Sequence, residues 1–306
     1  MISRTMKIFI IGAGGVGGYF GGKLAHAGLD VTFVARGAHY EAMKTRGLEV
    51  RTTEGDFTVS PVQVISKVSE IAAPDLILIT CKSYDLVSVA HELDQVVLPS
   101  TVVLTTQNGI DNDLVAARIL RQGKVFPGLI HIVSERLSPG VISQTGGLRR
   151  ITFGERGQSS NAELTAIETM MTKAGVRAVA SDDIVRDLWK KYAMIIPWAG
   201  VTSYSRKSID LVLSDPALRE LFCSSLREAL SVAEEAGVHL PDGTYGEIVS
   251  FAEKTAPGSR SSMLVDIENG RLTEVETLHG TLLKLAQEHG IETPVNEMIY
   301  RAIKEF

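Results

Sequence analysis

Cysteine is scarce in this chain. Cys81 and Cys223 are the only two, too few for a disulfide framework, and no Cys/His cluster has zinc-ligand spacing. That excludes a small disulfide-stapled scaffold and a structural zinc module, and it fits a reducing compartment. Aromatic residues make up 6% and charged residues 22%. Basic residues number 31 against 36 acidic, a formal net charge of -5, so there is no broad basic character for gripping nucleic acid. No apolar run is long enough to span a bilayer. The opening MISRTMK leads into an apolar stretch with no separate signal region, so a cytoplasmic protein that binds neither membrane nor nucleic acid is the expectation. No internal repeat or low-complexity segment interrupts the chain.

At 306 residues and 44% hydrophobic composition, the chain can build two domains, each with its own core. Its first half alternates short apolar runs with helical stretches. Strand candidates are 7–11, 31–35, 75–80, 101–105 and 125–133. Near-continuous apolar strands separated by helices predict a parallel, doubly wound α/β sheet of Rossmann type. Two segments differ, LEVRTTEGDFTVSPVQV and GVISQTGGLRRITFGE, and read as hairpin-like additions. From Ser181 the pattern is helical: 183–203, a helix opened by Ser214-Asp215-Pro216 and closed near Gly237, another from Thr273 to Gly290, and a last one opened by Thr293-Pro294. The expected division is residues 1–180 for an α/β domain and 181–306 for an all-α domain.

The most informative stretch is IFIIGAGGVGGYFGG at 8–22. An apolar strand runs into Gly12, Ala13, Gly14, Gly15, Val16 and Gly17 and then into a helix, the context in which G-x-G-x-x-G marks a dinucleotide site. Gly12 permits the tight turn, Gly14 lets backbone approach a pyrophosphate, and Gly17 lets the helix sit against its strand. The helix N-terminus offers free N–H groups and partial positive charge to the phosphates. After the next strand, where NAD-binding units commonly place an acidic residue, stands Arg36. A guanidinium accepts a ribose 2′-phosphate that a carboxylate would repel, so NADP(H) is the expected cofactor. His39 and Lys44 follow closely and are not assigned to the phosphate.

Reduction by a nicotinamide requires a group that protonates the carbonyl oxygen. Lys82 follows the strand DLILIT. Asn108 lies in Gln107-Asn108-Gly109, where Asn-Gly is equally a plain turn signal. Lys190 and Lys191 form a doublet early in the first helix of the second half, where one could be catalytic or both solvated. Thr273 and Glu276 have capping-box spacing, which would place Glu274 in a first helical turn, complementing the helix dipole. Ser261-Ser262 carries no signal of its own.

Together these segments resemble the ketopantoate reductase (2-dehydropantoate 2-reductase) family over nearly the whole chain. The matching residues are GAGGVGGYFGG, Cys81-Lys82-Ser83, Gln107-Asn108-Gly109, Leu188-Trp189-Lys190-Lys191, and Ser261-Ser262-Met263-Leu264 followed by Asp266 and Thr273-Glu274. The resemblance implies NADPH-dependent reduction of 2-dehydropantoate to pantoate, on the way to pantothenate and coenzyme A. It implies Lys191 as the proton donor, with Lys190 its solvated neighbour. By the same resemblance Glu274 holds substrate and lysine, Ser262 contacts the substrate carboxylate, and Lys82 and Asn108 border nicotinamide and substrate. A small 2-oxo acid is the implied partner, no metal is required, and a homodimer is the assembly to test. The chain departs from the family at Ile195, Ala199 and Ser259, where family members carry asparagine, and it places Pro197 inside the helix. Two alternatives therefore stay open: a paralogous reductase of another carbonyl compound, and a catalytically silent NADP(H)-binding sensor.

Overall fold

The computed structural model describes residues 6–305; residues 1–5, read above as leading into the first strand, and Phe306 lie outside them. The chain divides into two compact units. The first runs through Gln107 and from Asp111 to Ile184; the second comprises Asn108–Ile110 and Val185 onward.

The first unit contains ten strands among the described residues: β1 (Lys7–Ile11), β2 (Asp30–Val34), β3 (Leu48–Thr52), β4 (Phe57–Val59), β5 (Gln63–Ile65), β6 (Leu76–Ile79), β7 (Val102–Thr105), β8 (Lys124–Ser138), β9 (Val141–Phe153) and β10 (Arg177–Ala180). Its helices are α1 (Gly15–His26), α2 (Gly37–Arg46), α3 (Leu86–Leu93), α4 (Asn112–Ile119) and α5 (Ala162–Lys173). The strand order is β4-β3-β9-β8-β7-β6-β1-β2-β5, with β10 beside β9. From β5 to β8 every pairing is parallel. The central strands β1 and β6 are apolar on both faces because two separate apolar clusters cover them: Ile8, Ile10, Leu76 and Leu78 enter one, Phe9, Ile11, Ile77 and Ile79 the other.

Beyond β8 the sheet becomes mixed. The segment 140–155, read above as a hairpin-like addition, forms the second arm of a hairpin, the single strand β9. It pairs antiparallel with β8, which extends five residues past the predicted end of 133. The reversal is Pro139-Gly140, with Gly140 at φ +83°, a conformation that glycine adopts readily. The segment 48–59 does fold back as β3 on β4.

This long hairpin explains a glycine that the dinucleotide motif leaves unexplained. A Cβ on Gly15 would fall on the backbone of Ser134 and lie 2.8 Å from Glu135 Cα, and one on Gly18 would meet Ile142. The hairpin crosses the first turn of α1 at backbone distance. Gly15→Ala is therefore expected to cost about 1–3 kcal/mol through overpacking against main chain. A lowered denaturant midpoint checks this; an unchanged midpoint contradicts the close approach.

In the second unit the described helices are α6 (Ile184–Ser205), α7 (Ile209–Ser214), α8 (Pro216–Glu235), α9 (Thr244–Lys254), α10 (Ser262–Glu268), α11 (Thr281–Glu288) and α12 (Pro294–Lys304). Asp215 caps α8 by accepting from the Ala217 and Leu218 amides, with Pro216 in the first turn. The start of α12 is also marked by Thr-Pro, yet its amides at Val295 and Asn296 are taken by Glu228 of α8. The predicted helix 273–290 opens with a π turn over Glu276–Gly280 that runs directly into α11. Its expected capping box is absent, because Glu276 instead accepts from Tyr300 and pairs with Lys304.

Candidate active site

In the first unit the glycine turn joins β1 to α1. Gly12 sits at φ +100°, and a Cβ there would lie 2.8 Å from the Cys81 amide nitrogen at the end of β6. Gly17 faces the Gly12 carbonyl and the Thr80 hydroxyl so closely that no side chain fits between helix and strand. Around Gly14, by contrast, a Cβ would meet nothing within 4 Å. Gly14, Gly15 and Val16 are partly exposed, while Ala13 is buried. Two carbonyls of the turn are tied inward: Thr80 Oγ1 donates to Gly12 at 2.7 Å, and His39 Nε2 lies 2.7 Å from the Ala13 oxygen. Arg36 precedes α2 with its side chain 69% exposed, 3.6 Å from Glu92. An exposed pair of that length holds the guanidinium weakly. Lys82 follows Cys81 at the start of a short 3₁₀ turn over Ser83–Asp85.

The second unit gathers three of the predicted residues. Lys191 Nζ donates to Asn108 Oδ1 at 2.9 Å, and Asn108 Nδ2 donates to Glu274 Oε2 at 3.3 Å. Asn108 thus serves as more than a turn residue: the strip Asn108–Ile110 belongs to the helical unit although Gln107 belongs to the sheet unit. Glu274, expected in a first helical turn, is buried. Burial pushes the Lys191 ammonium down to about 8, while the Glu274 carboxylate pulls in the opposite direction. An amine poised near 8 is mostly protonated at neutral pH and gives up its proton readily.

Helix α6 places these groups by its period. Trp189, Tyr192, Ala193 and Ile196 face inward and are buried; Trp189 packs edge-on against Tyr192 at 5.7 Å, and the Tyr192 hydroxyl donates to the Leu278 carbonyl. Lys191 and Ile195 remain half-buried on another face, whereas Ala199 is buried. Lys190 points elsewhere and pairs with Glu247 of α9 at 2.7 Å on the exposed surface. Pro197 removes one backbone donor, yet α6 continues to Ser205.

The two serines divide in role. Ser261 caps α10 through the Leu264 amide and accepts from Thr202 of α6 at 2.8 Å. Ser262, the first residue of α10, is exposed. Asp266 is buried and bonds to Arg271 at 3.1 Å. Ser259, at a family asparagine position, donates to Ala256 in its own turn.

His279 lies in the π turn, fully buried against Gly200 and with no hydrogen-bond partner on either ring nitrogen. Burial lowers its pKa to about 4, although the nearby Ile196 backbone favours the charged form. The unfolded chain takes up a proton near pH 6.5 that the folded chain refuses. Stability from this residue is therefore complete above pH 6.5 and lost as pH falls toward 4, by about 3 kcal/mol in all. His279→Leu should flatten the loss of unfolding midpoint between pH 7 and 5; an unchanged pH slope contradicts this.

Two family models cover this chain. Residues 8–158 match ketopantoate reductase PanE/ApbA, and residues 183–306 match the ketopantoate reductase PanE/ApbA C-terminal model. The chain belongs to the ketopantoate reductase family. It is accordingly an NAD(P)-dependent oxidoreductase with a Rossmann-type unit and a helical unit. Among curated relatives, an uncharacterized oxidoreductase, YkpB, of Bacillus subtilis (strain 168) is 31% identical over 98% of this chain and 99% of its own. A 2-dehydropantoate 2-reductase of Nostoc sp. (strain PCC 7120) is 29% identical over 97% and 94%. The crystal structure of 2-dehydropantoate 2-reductase from Geobacter metallireducens superposes with a TM-score of 0.91 at 30% identity, covering 98% of this chain and 99% of that one. No helix among the described residues is long and apolar enough to cross a membrane, and those residues contain no cluster of metal-ligating side chains.

Proposed function

We propose that this ketopantoate reductase family member is an NADPH-dependent reductase of a 2-oxo acid, with 2-dehydropantoate, the precursor of pantoate, as its substrate. The observation that carries the proposal is the hydrogen-bonded series Lys191–Asn108–Glu274, with an amine poised near 8 at one end. The glycine turn suits a dinucleotide: Gly14 leaves open space, α1 begins there, and the exposed Arg36 guanidinium stands after β2 to meet a 2′-phosphate. Gly12, Ala13, Gly14, Gly15, Val16, Gly17, Arg36, Lys82 and Asn108 are the residues assigned to the cofactor. Bound there, the reduced nicotinamide supplies the hydride.

Lys191 gives its proton to the ketone oxygen as charge develops on it. Asn108 holds the Nζ through its carbonyl oxygen, and Glu274 fixes the direction of the Asn108 amide while favouring the charged amine. Ser262 contacts the substrate carboxylate, with Lys82, Asn108 and Glu274 completing the substrate contacts. The sheet unit is assigned to the cofactor and the helical unit to catalysis, in a reducing cytoplasm; a homodimer is the assembly for gel filtration to test.

One observation favours a different substrate on the same machinery. The half-buried residue one helical turn beyond Lys191 is Ile195, which offers no hydrogen bond to a substrate hydroxyl. Sites that bond a hydroxyl discriminate by about 10⁴ against the analogue lacking it, whereas apolar pockets discriminate far less. The test is NADPH oxidation with 2-dehydropantoate and with its 4-deoxy analogue. A kcat/KM ratio of about 10⁴ or more favours 2-dehydropantoate as the dedicated substrate. Comparable values favour a reductase of apolar 2-oxo acids, and no oxidation with any 2-oxo acid leaves the silent sensor.

A further inference from the structure

His39 is buried near the start of α2, 26 positions from the glycine turn, and serves neither the proposed 2′-phosphate contact nor catalysis. Its two ring nitrogens have different partners. Nδ1 accepts the Gly140 amide at 2.9 Å, at the tip of the β8–β9 hairpin. A backbone N–H can only donate, so Nδ1 carries no proton; the neutral ring then carries its proton on Nε2 and donates it to the Ala13 carbonyl at 2.7 Å. Burial, with Arg136 of β8 nearby, lowers the pKa and keeps the ring neutral, against a smaller pull from Ala13.

The consequence falls on the next amide. Ala13 C=O and Gly14 N–H belong to one planar trans peptide and point in opposite directions. Drawing the Ala13 oxygen toward the buried His39 ring therefore points the Gly14 N–H the opposite way, away from that ring. Thr80 acts in the same way on the preceding peptide by holding the Gly12 oxygen. Gly14 O is engaged as well, accepting the Gly18 amide at 2.7 Å as α1 begins. No described residue accepts the Gly14 N–H.

We propose that His39 is a positioning residue for the cofactor: as a neutral Nε2–H tautomer fixed by the hairpin tip, it locks the Ala13–Gly14 peptide so that the Gly14 amide faces the dinucleotide diphosphate. The inference rests on the cofactor reading above. The hairpin tip thereby contributes to cofactor affinity through His39 and the Ala13–Gly14 peptide.

Two substitutions separate this role from mere packing. His39→Gln places an amide donor where Nε2 stands and retains the bond to Ala13. His39→Asn places a carbonyl where Nδ1 stands, retaining the bond to Gly140 and releasing Ala13. NADPH affinity is read by fluorescence titration and kcat at saturating NADPH, with thermal midpoints alongside. His39→Asn is expected to weaken NADPH binding about tenfold, the scale of one lost hydrogen bond, with His39→Gln weakened less than threefold and kcat changing little in either. Equal affinities in the two variants overturn the proposal. If either variant fails to fold, the wild type decides it: ring ¹⁵N shifts must show a neutral His39 with its proton on Nε2 at neutral pH, and a proton on Nδ1 overturns the tautomer on which the lock depends. Failure of the wild type to bind either NADPH or NADH overturns the proposed dinucleotide site and this inference together; normal wild-type binding with indifferent variants overturns this inference alone.

Discussion

Lys191→Ala is expected to lower kcat for 2-oxo acid reduction by about 10²–10⁴-fold, the range associated with losing a positioned general acid. NADPH affinity should change little, because the proposed diphosphate and ribose contacts lie in the other unit. Lys190→Ala supplies the contrast. Lys190 pairs with Glu247 on the exposed surface, and such pairs contribute about 0–1 kcal/mol. Its loss should leave kcat within about twofold. The comparison tests the register of α6 as well as the chemistry: a crippled Lys190→Ala beside a nearly silent Lys191→Ala would assign the proton to the wrong lysine. Steady-state NADPH oxidation by the two purified variants reads the result.

Arg36→Asp is expected to raise the KM for NADPH by about 10–100-fold, since hydrogen bonds to charged groups contribute roughly 1.5–3 kcal/mol and the new carboxylate adds repulsion. NADH, which lacks the 2′-phosphate, should be affected about threefold or less, so the ratio of the two kcat/KM values moves toward NADH. Folding should be indifferent: the Arg36–Glu92 pair is long and solvent-exposed. Equal losses for both cofactors would remove Arg36 from the phosphate site and return it to the surface.

What the sequence shows of this molecule is what local physics determines. The β1–turn–α1 element was legible because a tight turn, a close helix and a phosphate approach each demand glycine at a fixed offset. The strands β1, β2, β6 and β7 were legible because they are buried on both faces and read as short apolar runs. Pro216 and Pro294 marked helix starts because proline suits the first turn.

The remainder depends on chain segments far apart in sequence. Asn108 reads as an Asn-Gly turn, and its bonds to Lys191 and Glu274 span 83 and 166 positions. Glu274 reads as a dipole-complementing residue until its burial is known. The segment 140–155 read as a hairpin-like addition, but its partner β8 could not be read locally; Pro139-Gly140 makes the reversal that pairs them. Glu276 matched a capping-box position but binds Tyr300 and Lys304, a competition that no local pattern reveals. His39 carried no motif at all. Its role follows from two backbone groups, Ala13 and Gly140, that lie 101 residues or fewer from it in opposite directions along the chain.

In the proposed mechanism Lys191 donates the proton and Glu274 helps keep it charged. The most direct measurement is the pH dependence of kcat/KM for NADPH-driven reduction in the wild type and in Glu274→Gln. The protonated amine is the active form, so activity should hold below pH 8 and fall as pH rises through about 8. Removing the Glu274 carboxylate removes the attraction that raises the Lys191 pKa while leaving the burial that lowers it, so the falling limb should move to lower pH. A wild-type profile flat from pH 6 to 10, or a limb that stays in place in Glu274→Gln, contradicts that mechanism.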